Sequence, residues 1–257
     1  MSRPLAPSKV GHGSIRLNPG VIVRHVTAAK SGLATALDAL FSCSRLPLRG
    51  YAQESCNAPD LSELITEHFS AISAPNHPCR GTLTAAMKCL EERPARIVET
   101  GTAAWGTQST LLFASYVDRF GGEIVSIDTR SSPARRTRLK VSSRVRFLVG
   151  DSARVLRRKS MANFLSEVDL VYLDSWDVDP RNPYAAAAHG LSEFTAIAEL
   201  LKPGAQVLID DTPADMVFWE APSDEMLTFL DDWGAIPGKG AFILKMVHQS
   251  QSFEIVA

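Results

Sequence analysis

Residues 96–110 read RIVETGTAAWGTQST. An apolar run leads into an acid, Glu99, then into Gly101, a second glycine at 106, and a group of hydroxyl residues. A short β-branched run reads as a strand, and Ser109 and Thr110 stand where a helix would begin. Gly101 lets the chain turn tightly without a Cβ penalty, and Gly106 lets the backbone approach a ligand closely. Thr107, Ser109 and Thr110 bring hydroxyls and free N–H groups to a helix N-terminus, where the field is positive.

The same pattern recurs along the chain. ARIVET (95–100), EIVSID (123–128), VRFLVG (145–150), DLVYLD (169–174) and QVLIDD (206–211) are short, β-branched and apolar on both faces. Such runs suit parallel strands covered by helices on both sides. The segments between them have the length of βαβ crossovers. The fold class is therefore α/β: a doubly wound, mostly parallel, Rossmann-like sheet over 95–257. GAFILKMV (240–247) reads as a further edge strand following a helix over 222–233. Ahead of the sheet, 31–94 reads as a helical extension. Its helices are expected at 31–42 with Ser31 as cap, at 61–72 with Asp60 as cap, and at 82–93; 45–60 and 73–81 read as loops. Residues 1–30 are rich in Pro, Gly, Ser and Arg and read as a flexible tail or docking arm with one β-like run, VIVRHV (21–26).

The 257 residues are 45% hydrophobic and 21% charged with a net charge of -1, so no global basic field invites nucleic acid. No apolar window is long enough for a membrane-spanning helix, and the first residues lack a signal-peptide core. The cysteines at 43, 56, 79 and 89 form no CxxC pair and read as reduced thiols of a cytoplasmic protein.

The strand ends carry the chemistry. In an open parallel sheet, ligands bind beyond the carboxyl ends of the strands. GTAAWG does not match the GxGxxG turn that seats a dinucleotide pyrophosphate, and Glu99 would repel a phosphate. An acid there suits a cationic ligand, such as an amino-acid ammonium beside a sulfonium; S-adenosylmethionine carries both. Asp128 at the next strand end can accept from ribose hydroxyls or cap a helix. Asp151, in Gly150-Asp151-Ser152, can accept from an adenine amino group or cap the helix SARVLRRK. Asp174, Asp210 and Asp211 end two strands expected to be adjacent. Carboxylates so close repel unless one is protonated or a cation lies among them. Oxygen ligands suit Mg²⁺, Ca²⁺ or Mn²⁺, which could lower the pKa of an acceptor hydroxyl. Phe218 and Trp219 could pack on an apolar acceptor or plug the core.

Together these features resemble the class I S-adenosylmethionine-dependent methyltransferases over roughly residues 80–247. ETGTAAWG resembles that family's first motif, with Ala103 at its central glycine; SIDTR and GDS resemble its ribose and adenine positions. Within the class the chain is most similar to catechol-type O-methyltransferases and a related bacterial small-molecule group. The resemblance implies a donor pocket of Glu99, Gly101, Thr102, Gly106, Ser109, Asp128, Asp151, Ser152 and Asp174, with Trp105 nearby or in the core. It implies a metal, Mg²⁺ or another divalent cation, on Asp174, Asp210 and Asp211. Asp177 stands where the catechol-type family has a lysine, and Asp211 where it has an asparagine. An Asn-Pro…His pattern similar to that of the bacterial group makes His189 a candidate general base or a supporting histidine, with Asp177 the other candidate base.

The expected function is a metal-assisted S-adenosylmethionine-dependent O-methyltransferase of a small-molecule acceptor, with no nucleic-acid or membrane partner and a possible homodimer. DVD (177–179) also resembles the acidic pair of metal-dependent glycosyltransferases, but that reading leaves ETGTAAWG and Asp128 unexplained. A hydroxylase-like enzyme would want a two-His facial set that is lacking here. A non-catalytic donor-binding module is the non-enzyme alternative.

Overall fold

The computed structural model describes residues 21–26, 60–103, 106–179, 182–212 and 238–255. Seven strands form one sheet: β1 (Val21–His25), β2 (Ala95–Thr100), β3 (Gly122–Asp128), β4 (Val145–Val149), β5 (Leu170–Leu173), β6 (Gln206–Ile209) and β7 (Phe253–Ile255). Their order is β4-β3-β2-β5-β6-β1-β7. Strands β2 to β6 are mutually parallel, as their two-faced apolar runs predict, while β1 is antiparallel to both β6 and β7. The winding runs outward from β2 in one direction and from β5 in the other, so the order reverses between those two strands. The crevice at that reversal is where such sheets hold ligands.

Each face of the sheet carries a core. Neighbouring residues of one strand serve opposite faces, because side chains alternate along a strand. Ile97 packs with Phe69, Leu83, Met87, Phe113 and Tyr172 on one side, and Val98 with Val155, Leu156, Phe194 and Ile197 on the other. The first face is covered by α1 (Leu61–Glu67), α2 (Arg80–Lys88) and α3 (Ser109–Phe120), with α4 (Ser131–Arg138) towards the β4 edge. The second is covered by α5 (Ser152–Leu156), α6 (Lys159–Leu165), α7 (Pro183–Ile197) and α8 (Ala241–His248). Asp60 caps α1 by accepting from Glu63 N at 2.8 Å. A π-helical turn, His68–Ile72, continues α1.

Two expectations change. GAFILKMV is helix α8, not an edge strand. Its Ile243 and Val247, one helical turn apart, are both buried. A short, mostly apolar run fits a buried helix as well as a buried strand, so its composition did not discriminate. The edge position belongs instead to β7. The β-like run in the N-terminal arm is a full sheet member, with Ile22 in one core and Val23 in the other. The helices expected at 31–42 and 222–233, together with Cys43, Cys56, Trp105, Phe218 and Trp219, lie outside the described residues. Among the described residues no helix is long and apolar enough to cross a membrane.

Candidate active site

The turn after β2 is organised around Glu99. The residue is fully buried, and its carboxyl accepts from Ser109 Oγ at 2.5 Å, Thr110 Oγ1 at 2.5 Å and Ser126 Oγ at 2.6 Å. Strand register explains the last contact, since Glu99 and Ser126 are neighbours across β2 and β3. Thr110 Oγ1 also accepts from Ala103 N at 2.6 Å, and Ser126 Oγ lies 2.8 Å from Thr102 Oγ1. Glu99 therefore ties the turn to the helix behind it and does not line the cavity at the sheet reversal. That corrects the expectation that it faces a cationic ligand, and Ser109 and Thr102 are drawn into the same network. The extension braces the turn from outside. His68 Nε2 donates to Thr107 O at 2.8 Å, and His77 Nε2 lies 3.4 Å from Thr107 Oγ1.

Burial pushes the Glu99 carboxyl up to about 7, with the three hydroxyl donors opposing the shift. A raised folded-state pKa gives stability that is full below the unfolded value, near 4.5, and is lost as pH rises through about 7. Glu99→Gln removes the titration. Relative to that variant, the natural protein is expected to lose up to about 3 kcal/mol between about pH 5 and about pH 8. Urea unfolding of both proteins at the two pH values measures it; parallel pH profiles would refute it.

At the sheet reversal lies a cavity of about 330 Å³ lined by Gly101, Asp128, Asp151, Ser152, Trp176 and His189, among others. Gly101 turns with φ 89°. Asp128 Oδ2 accepts from Thr102 N at 3.2 Å, and Oδ1 accepts from Arg130 N at 2.7 Å. The Arg130 guanidinium also reaches Oδ1, at 3.3 Å, but its side chain is 73% exposed and free to yield. Asp151 caps α5 by accepting from Arg154 N at 2.8 Å, as one of its two sequence readings has it, and it also borders the cavity. Asp177 is exposed at the rim.

His189 projects from α7 into the same cavity. Its Nε2 lies 3.0 Å from Ser152 Oγ and 3.5 Å from Glu193 Oε1, and its ring packs on Trp176 with centroids 5.1 Å apart. Glu193 is buried one turn along the helix and accepts from Ser175 Oγ at 2.7 Å. The Glu193 carboxylate holds the His189 pKa above the ordinary imidazole value, against the effect of burial.

Asp174, Asp210 and Asp211 do meet at the ends of β5 and β6, but with a lysine among them. Lys239 Nζ lies 2.6 Å from Asp174 Oδ1 and 3.1 Å from Asp211 Oδ2. Asp210 accepts from Tyr172 OH at 2.8 Å. Burial first, then the two neighbouring carboxylates, hold Asp210 well above the usual carboxylate range. Burial likewise raises Asp174, with Lys239 opposing it. With the ammonium in place these residues do not fit a divalent ion, and no group of three possible ligands stands ready for a metal among the described residues.

The structure thus brings Gly101, Asp128, Asp151, Ser152, Asp177 and His189 to one cavity and gathers Asp174, Asp210 and Asp211 around Lys239. Gly106 lies apart, on a groove of about 890 Å³ with Ala71, Ile72 and Leu111. Sequence reasoning missed Lys239, Glu193 and Trp176. Glu193 stands four residues after His189, a spacing that places both on one helix face and could have signalled the pair. Lys239 lies 65 positions from Asp174 in no motif, and nothing local marks it.

Residues 98–212 match a family model described as a methyltransferase domain. Among solved structures, the chain is similar to the MycE methyltransferase from the mycinamycin biosynthetic pathway, in complex with Mg and SAH, at 20% identity and a TM-score of 0.47, covering 74% of this chain and 45% of that one. It is similar to YjhP from E. coli at 18% identity and a TM-score of 0.40, covering 72% of this chain and 71% of that one. It is similar to Phospholethanolamine N-methyltransferase 2 from Haemonchus contortus at 14% identity and a TM-score of 0.38, covering 74% and 41%. The chain spans less than half the length of the first and last of these. No curated protein matches it.

Proposed function

We propose that this chain, whose residues 98–212 match a methyltransferase-domain family model, is a class I S-adenosylmethionine-dependent methyltransferase that transfers the donor methyl to an oxygen of a small molecule. The observation that carries the reading is the cavity at the sheet reversal, where Gly101, Asp128, Asp151 and Ser152 come together in the order of their strands. Asp128 receives the ribose hydroxyls, and the Asp151–Ser152 turn borders the adenine. The sulfonium then lies by Gly101, towards the acceptor side. Methyl transfer is a direct displacement: the acceptor oxygen attacks the methyl carbon, the carbon–sulfur bond breaks, and S-adenosylhomocysteine leaves. The protein holds the two in line and excludes water.

In this reading His189 takes the acceptor proton, and Glu193 stabilises the imidazolium that results. Magnesium, expected from the three aspartates, is given no step, because Lys239 holds an oxygen of Asp174 and one of Asp211, while Asp210 accepts from Tyr172.

Turnover of donor with a panel of phenols and other hydroxylated acceptors tests the proposal. Release of S-adenosylhomocysteine with an O-methylated product is expected; no turnover with any acceptor, or N-methylated products alone, would count against it. His189→Asn is expected to lower kcat on the order of a hundredfold while leaving donor affinity within about threefold. The opposite split, weak donor binding with kcat intact, would make His189 a wall of the donor cavity rather than the base.

A further inference from the structure

Lys239 is built into its place. Its side chain is 3% exposed. Lys239 N donates to Asp211 O at 3.1 Å, and Gly240 N donates to Thr212 Oγ1 at 2.9 Å. Two glycines make room for this threading. A Cβ on Gly190 of α7 would come within 2.6 Å of Lys239 O, and one on Gly240 within 2.6 Å of the Thr212 side chain. The ammonium is thus delivered by a fixed backbone to the ends of β5 and β6.

A divalent ion at this spot needs several carboxylate oxygens directly on it. Asp174 and Asp211 each give one oxygen to the ammonium, and Asp210 accepts from Tyr172. A second cation beside the first would be repelled, most strongly at Asp174 and Asp210, whose carboxylates are buried with the ammonium.

We propose that Lys239 is the resident cation of this site: its ammonium takes the position of a divalent ion between the ends of β5 and β6, and the protein binds no divalent cation there. The inference deepens the methyl-transfer reading and rests on it for its functional meaning. Lys239 acts as a positioning residue. It holds Asp174, whose backbone carbonyl lies against Gly101 so closely that a Cβ on that glycine would sit 2.1 Å from it. The acid cluster, the donor turn and the chain beyond residue 237 are in this way joined through one charge.

Manganese titration of the full chain, read by electron paramagnetic resonance of free Mn²⁺, tests it. The natural protein is expected to show no saturable site. Lys239→Ala frees the carboxylates and is expected to gain a single site at least about tenfold tighter than any residual binding. Stoichiometric Mn²⁺ binding by the natural protein that Asp174→Asn abolishes would overturn the proposal, and so would a folded Lys239→Ala that gains no site. If that variant fails to fold, the comparison of natural protein with Asp174→Asn decides alone: Asp174-dependent binding overturns it, and its absence supports it. S-adenosylhomocysteine titration with and without chelator runs in parallel. Equal affinity is expected, and a chelator-sensitive affinity counts against Lys239 as the cation. Failure to bind S-adenosylhomocysteine at all strikes the methyl-transfer reading, whereas the manganese result speaks to Lys239.

Discussion

Asp128→Ala is expected to weaken S-adenosylhomocysteine binding on the order of a hundredfold. A ribose diol offers two hydroxyls to one carboxylate, and hydrogen bonds to a charged acceptor contribute about 1.5–3 kcal/mol each, so losing the pair gives a change of about 3 kcal/mol or more. Asp128 has the acceptor capacity. Oδ2 takes only Thr102 N, and the exposed Arg130 guanidinium on Oδ1 can move aside. The alanine also leaves Thr102 N and Arg130 N without their acceptor, loosening the turn that the donor must meet. Asp128→Asn keeps one oxygen and is expected to lose less, about tenfold. Calorimetric titration reads both, with circular dichroism to confirm the fold. Undiminished affinity in Asp128→Ala would remove the ribose assignment.

Gly101→Ala is expected to be the most damaging single-methyl change in the site. Its φ of 89° already disfavours a side chain. The added Cβ would also stand 2.1 Å from Asp174 O and 2.8 Å from Asp174 C, which are backbone atoms that cannot swing away. Strands β2 and β5 would have to part where Asp174 N donates to Thr100 O at 3.0 Å. Strain and lost pairing together are expected to exceed about 3 kcal/mol, a fall in Tm of about 10 °C in a chain of this size. Gly204→Ala is the control. Its φ is 84° but nothing lies within 4 Å of a new Cβ, so the left-handed backbone alone is charged, about 1 kcal/mol. Equal losses in the two variants would show that the crowding at Gly101 is relieved elsewhere.

The parallel core was legible because short β-branched runs, such as Ile97-Val98 and Val207-Leu208-Ile209, recur at the spacing of βαβ crossovers. The place of Asp128 and Asp151 beside the crevice was legible because they end such runs. Glu99 was misread because its position on the strand was known but its partners were not. The hydroxyls of Ser109, Thr110 and Ser126 close on it only after β3 pairs with β2. GAFILKMV was misread because a short, mostly apolar run carries no clear period. Lys239 was invisible for a different reason: its meaning lies wholly in which distant acids the fold brings to it.

The place of β1 has a consequence for how the molecule is made. Val21–His25 leaves the ribosome early, yet the two strands that flank it, Gln206–Ile209 and Phe253–Ile255, emerge late. Until Gln206–Ile209 emerges, VIVRH has neither of its ladder partners, and its bare amides are the kind of surface that captures a stray ribbon from a neighbouring molecule. Assembly of that side is thus a closing act, in which β1 is taken up between two strands made long after it. Removing the residues through His25 would leave β6 and β7 without the strand between them, and clumping of the product is the expected result.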